Sequence, residues 1–167
     1  IRGTDVARDV SDIVLKDDNF ASIVAGVKEG RKTYDNVKKF TKYFLAVNFS
    51  QIFLVITTVL MNLPLSLLPI QLLWHNLITD SFPALSLVFE KEENVMSSKP
   101  RKEKSIVDNT WKFIILAGIL AFAVEIIIYM YGIKKSFPIE EIRTMVLTTG
   151  ILYEIFFVYT CRTNNSL

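Results

Sequence analysis

Asp80 is an acid in an apolar setting. It closes Trp74-His75-Asn76-Leu77-Ile78-Thr79-Asp80, within a run from Thr57 to Phe89 that holds no Lys or Arg. Asn76, Thr79 and Asp80 are spaced i, i+3 and i+4, so a helix puts them on one face. Asn48 and Gln51, again three apart, lie in the apolar segment before it, and Glu154 is central in the last apolar segment. Ionisable side chains at bilayer depth are costly and mark ion pathways or ligand sites. Counted from the flanking charged residues, Asn48, Asp80 and Glu154 lie about 9–15 Å below the same membrane boundary. Two carboxylates with amide and hydroxyl oxygens at one level make a hard-oxygen cage. Such a cage suits Ca²⁺, Mn²⁺, Mg²⁺ or an alkali ion rather than Zn²⁺ or copper. Pro83 has no amide hydrogen, which frees the carbonyl of Thr79, as in the broken helices that line ion sites.

Each of these residues also has a plainer reading. Asn and Thr in membrane helices commonly hydrogen-bond between helices without binding an ion. Glu125 shares a face with Gly118, Ala121 and Gly132, a small-residue stripe suited to close helix packing. It falls deeper, out of plane with the other acids, and reads as a protonated packing residue or a step on a proton path. His75 projects about 100° from Asn76 around a regular helix, which assigns it to packing or the interface. Trp74, Trp111, Tyr129 and Tyr131 read as interfacial anchors. The acidic group Glu90, Glu92 and Glu93 reads as a solvated face. Cys161 is the only cysteine, so a disulfide framework is excluded.

Positioning such groups requires membrane helices. The 167 residues are 51% hydrophobic and 22% charged, totals that a soluble domain shares. Their segregation is decisive, and it excludes a soluble enzyme as the main reading. A net charge of +2, scattered along the chain, gives no reason to expect nucleic acid. Four apolar segments, 41–63, 65–89, 111–132 and 144–161, are each roughly 18–25 residues, enough to cross a bilayer. The turn at Pro64 is too short for anything but an antiparallel helical hairpin.

The fold expected is an all-α membrane protein with four transmembrane helices in two antiparallel hairpins. Lys and Arg gather before the first span and in the 90–110 loop. The positive-inside bias therefore places the N-terminus, that loop and the 162–167 end in the cytoplasm, and the 133–143 loop outside. Residues 1–19 differ in kind: a short helix, then a small strand over Asp12-Ile13-Val14-Leu15. Asp17-Asp18-Asn19 offers a cap for a helix running from Phe20 to about Leu63, roughly 65 Å. Its 20–40 part would be a cytoplasmic stalk continuous with the first span. The chain opens at Ile1, without an initiator Met or signal-peptide pattern, and reads as a piece of something longer.

Gln71-Leu72-Leu73-Trp74-His75-Asn76-Leu77-Ile78-Thr79-Asp80-Ser81-Phe82-Pro83-Ala84 closely resembles the sixth membrane helix of type II P-type ATPases, calcium pumps above all. Gly3-Thr4-Asp5-Val6-Ala7 and Val14-Leu15-Lys16-Asp17-Asp18-Asn19-Phe20 resemble the end of that family's phosphorylation domain, and Lys28-Glu29-Gly30-Arg31 its stalk. The resemblance implies that 1–19 is an α/β remnant of that domain. The four spans become the fifth to eighth of ten helices, beside the remaining domains of the same pump in the lipid bilayer. It implies transport of Ca²⁺ driven by ATP with Mg²⁺, both bound by domains outside this chain, and no catalytic residue within it. By position, Asn76, Thr79, Asp80, Asn48 and Glu154 resemble ion ligands. Gln51 stands where two-ion pumps carry a glutamate, which implies one divalent ion per cycle. A Na⁺, K⁺ or Mn²⁺ pump is the neighbouring alternative. A passive cation channel, a non-catalytic subunit or a structural anchor is the alternative of another class.

Overall fold

The computed structural model describes residues 3–17, 19–90, 95–97, 106–108 and 110–162. The sequence expectations for Asp18, for most of the 90–110 loop, including Glu92 and Glu93, and for 163–167 lie outside the described residues. The described part is helical: α1 (Asp5–Asp9), α2 (Phe20–Leu60), α3 (Pro69–Trp74), a π-helical turn (His75–Thr79), α4 (Ser81–Val88), α5 (Trp111–Lys134) and α6 (Ile139–Arg162). Three of these helices, α2, α5 and α6, are long and apolar enough to cross a membrane.

The chain divides into two compact units, 1–35 with 91–101 and 36–90 with 102–167. In the first, Thr4 caps α1 by accepting from the Ala7 amide at 3.3 Å. The strand expected over Asp12–Leu15 does not form, and no strand occurs among the described residues. A lone strand leaves its amides and carbonyls unpaired, and Ile13 (76% exposed) and Val14 (51%) have no sheet to pack on. Asn19 caps α2 as its side chain predicts, accepting from the Ala21 amide at 2.9 Å. Within the same unit, Arg31 donates to the Val95 carbonyl at 3.2 Å.

The second unit holds the core. At its end α2 closes in a Schellman turn: Leu63 N–H reaches the Thr58 carbonyl and Asn62 N–H the Val59 carbonyl, both at 3.0 Å. Asn62 is left-handed, with φ 55°, a conformation Asn tolerates. The same device ends α5 at Ser136, φ 57°, through Phe137 N–H to Gly132 O at 3.1 Å and Ser136 N–H to Ile133 O at 3.0 Å. Residues 133–143, expected as a loop, are therefore mostly helical, with only 135–138 connecting α5 to α6.

The expected 65–89 span is not one regular helix. Gln71 accepts from the Leu68 amide at 2.8 Å to start α3, and the π turn interrupts the segment before α4 resumes. Two apolar clusters hold these pieces to the long helices. One joins Tyr43, Ala46 and Val47 of α2 to Ala84, Ile114 and Phe157; the other joins Leu54 and Leu67 to Tyr129, Ile142 and Val146. Phe157 stacks on Tyr43, Phe113 and Tyr153 at 5.5–5.9 Å. At Gly118 a side chain would meet Phe49 Cδ1 at 2.7 Å and the Ala46 carbonyl at 3.0 Å. Gly118 of the small-residue stripe is thus where α5 lies close against α2, whereas at Gly132 a side chain would meet Ile142 of α6 at 2.7 Å.

Both ends of this unit are tied. Asn36 donates to the Val88 and Glu90 carbonyls at 2.8 Å. Lys39 pairs with Glu90 at 3.1 Å, and Arg162 pairs with the other Glu90 oxygen. Glu90 is a link between helix ends rather than the solvated face its neighbours in sequence suggest. Burial pushes its carboxyl up, but the bonds from Arg162 and Lys39 outweigh that and hold it below its usual value. At the hairpin, Tyr129 donates to the Pro64 carbonyl and Arg143 to the Leu65 carbonyl at 3.1 Å.

Candidate metal centre

The π turn sets the geometry of the site. In a regular helix, residues five apart point about 140° away from each other. Here the Asp80 amide bonds to the His75 carbonyl at 3.0 Å, an i to i−5 step that widens the turn. His75 and Asp80 come onto one side, with Nδ1 3.3 Å from Asp80 Oδ1. From α6, Glu154 brings Oε1 to 3.4 Å from the same nitrogen. From α2, Gln51 Nε2 lies 2.7 Å from His75 Nδ1, within hydrogen-bond distance. One ligand atom from each of His75, Asp80 and Glu154 lies within 4.8 Å of the others.

All of these groups are buried. Asp80 is 0% exposed, His75 and Glu154 2%, Gln51 and Glu125 5%. Both Asp80 oxygens and Glu154 Oε2 accept no hydrogen bond, and neither does Glu125 Oε2. Buried carboxylates without donors carry a heavy desolvation cost unless they bind a cation or a proton.

Of the six residues singled out in the sequence, the structure brings Gln51, Asp80 and Glu154 together. Asn48 is half-buried and donates to the Phe44 carbonyl of its own helix at 2.9 Å. Asn76 is exposed and Thr79 half-buried. Two residues that sequence reasoning set aside are central. His75 belongs to the cluster, and its signal was that it is ionisable within an apolar span. Glu125 is at the same place: a side chain at Gly150 would meet Glu125 Oε1 at 2.8 Å and His75 Nε2 at 3.3 Å. Gly150 itself, four residues before Glu154, supplies the room.

Comparison with known proteins agrees with this architecture. The family model described as cation transporting ATPase, C-terminus, matches residues 64–167. A calcium-transporting ATPase of Bacillus subtilis is 38% identical over all of this chain and 19% of its own length. The endoplasmic reticulum-type calcium-transporting ATPase 3 of Arabidopsis thaliana is 46% identical, over 66% of this chain and 11% of its own. A calcium-transporting ATPase of Plasmodium falciparum is 39% identical, over 87% of this chain and 12% of its own. The chain spans about a fifth or less of these relatives. An acid-lined centre between apolar helices, matched by the C-terminal family model and by relatives of this similarity, places the chain in the P-type cation-transporting ATPase family, in its C-terminal membrane region.

Proposed function

We propose that this chain is the ion-binding membrane part of an ATP-driven pump that exports Ca²⁺ from the cytoplasm. The observation that carries the reading is the convergence of Asp80 and Glu154, both buried and with oxygens that accept no hydrogen bond. A dication balances two such carboxylates. In this reading 41–63, 65–89, 111–132 and 144–161 are the four membrane spans, and 65–89 crosses as the broken segment. Residues 1–19 end the phosphorylation domain and 20–40 form the stalk. The N-terminus, the 90–110 loop and the 162–167 end face the cytoplasm, and 133–143 the opposite side.

Asp80 and Glu154 are the anionic ligands, with Gln51 beside them. Asn48, Asn76 and Thr79 lie on surfaces where the pump's remaining helices would complete the cage. The neutral Gln51 leaves charge for one dication per cycle. ATP and Mg²⁺ belong to domains outside this chain, so the chain alone performs no hydrolysis.

The test is ATP hydrolysis by the full-length protein in proteoliposomes, titrated against Ca²⁺, Mn²⁺, Na⁺ and K⁺. Activation by micromolar Ca²⁺, abolished in Asp80→Asn, is the expected result. Activation only by millimolar Na⁺ or K⁺ refutes the calcium reading, and cation flux without ATP turns it toward a channel.

A further inference from the structure

The centre contains a nitrogen as well as oxygens. Gln51 Nε2 lies 2.7 Å from His75 Nδ1. Asp80 Oδ1 and Glu154 Oε1 approach the same nitrogen at 3.3 and 3.4 Å, and the three atoms all lie within 4.8 Å of one another. Adjacent ligands around a tetrahedral ion with bonds of about 2.1 Å stand roughly 3.4 Å apart.

The donor set identifies the ion. Ca²⁺ takes six to eight oxygens, whereas one imidazole with two carboxylates and an open fourth position suits the borderline first-row metals. On its other side, His75 Nε2 faces the space beside Gly150 that Glu125 Oε1 also borders, 3.3 and 2.8 Å from the point where a Cβ would stand. A carboxylate on that side is the device that orients a metal-ligating histidine.

We propose that His75, Asp80 and Glu154 form a tetrahedral three-ligand site for a borderline transition-metal dication, Co²⁺ or Zn²⁺, bound more tightly than Ca²⁺. The proposal rests on the ion-site reading above and names a second class of cargo for it. The bound ion takes the Nδ1 lone pair.

The test uses the full-length protein in detergent, loaded with Co²⁺ and followed by its visible absorption, with Zn²⁺ and Ca²⁺ as competitors. The expected result is the intense absorption of tetrahedral Co²⁺, displaced by Zn²⁺ at far lower concentration than by Ca²⁺. His75→Leu is expected to weaken Co²⁺ binding at least about tenfold, the scale of a lost orienting or ligating group, and to weaken it more than Ca²⁺ binding, so that the preference for Co²⁺ narrows. His75→Gln carries the same comparison if the Leu variant does not fold, since it keeps a polar side chain. Weak octahedral absorption, Ca²⁺ displacing Co²⁺ as readily as Zn²⁺ does, or a spectrum unchanged by either variant would overturn the proposal. Asp80→Asn separates the two readings. If it abolishes Ca²⁺ and Co²⁺ binding while the His75 variants change nothing, only the nitrogen ligand is refuted. Intact Ca²⁺ binding in Asp80→Asn refutes the site itself.

Discussion

At the scale of single residues, two glycines have opposite reasons to be glycine. A Cβ at Gly118 would press on the Ala46 carbonyl at 3.0 Å, and backbone cannot yield without moving α2. A Cβ at Gly150 would press first on the Glu125 carboxylate at 2.8 Å, the far end of a flexible side chain. Alanine gains about 1 kcal/mol over glycine in a helix, and overpacking costs about 1–3 kcal/mol. Thermal unfolding in detergent is therefore expected to find Gly118→Ala destabilised by about 1 kcal/mol and Gly150→Ala not destabilised. Equal losses in both would contradict this account. The acids were the legible part of the centre, because a carboxylate in an apolar run has few reasons to be there. Glu125 was misplaced because depth counted along separate helices does not say how those helices slide past each other.

Elements were legible where a local rule governs them. Asn19 caps α2 because its side chain reaches an amide two residues on, and the small stripe of α5 packs close because nothing on it prevents approach. The strand over 12–15 failed for the opposite reason: strands depend on partners that local sequence does not supply. His75 was assigned to packing on the assumption of a regular helix, and the π turn removed that assumption. The two Schellman turns give an element-scale prediction. Asn62 tolerates the left-handed conformation, whereas Ser136 holds it at a cost of about 1 kcal/mol. Ser136→Gly is expected to raise stability by about that amount, while Asn62→Gly changes little. A thermal shift for Ser136→Gly no larger than that for Asn62→Gly would remove the proposed strain.

For the molecule as a whole, the second unit is fastened differently at its two ends. The hairpin end relies on Tyr129 and Arg143 donating to backbone carbonyls. At the other end Glu90 accepts from Lys39 and Arg162, and its folded-state pKa lies below the usual 4.5. A lowered carboxylate pKa contributes stability above the unfolded value, and the contribution is lost as pH falls through the folded one. Relative to Glu90→Gln, the wild-type melting temperature is expected to be higher at pH 6–7 and to converge on the variant's as pH drops below about 4.5. A difference that stays constant with pH would show that Glu90 acts through shape rather than charge.

The π turn makes the geometry of the candidate site a matter of counting as much as of chemistry. Asp80 faces His75 because the hydrogen-bonded ring between them closes over five residues instead of four. Two proteins with identical letters from His75 to Asp80 would present different ligand sets if one wound that segment regularly. Kinship read from such a motif therefore transfers the list of donors but not their arrangement, and ion preference can diverge without any change of ligand.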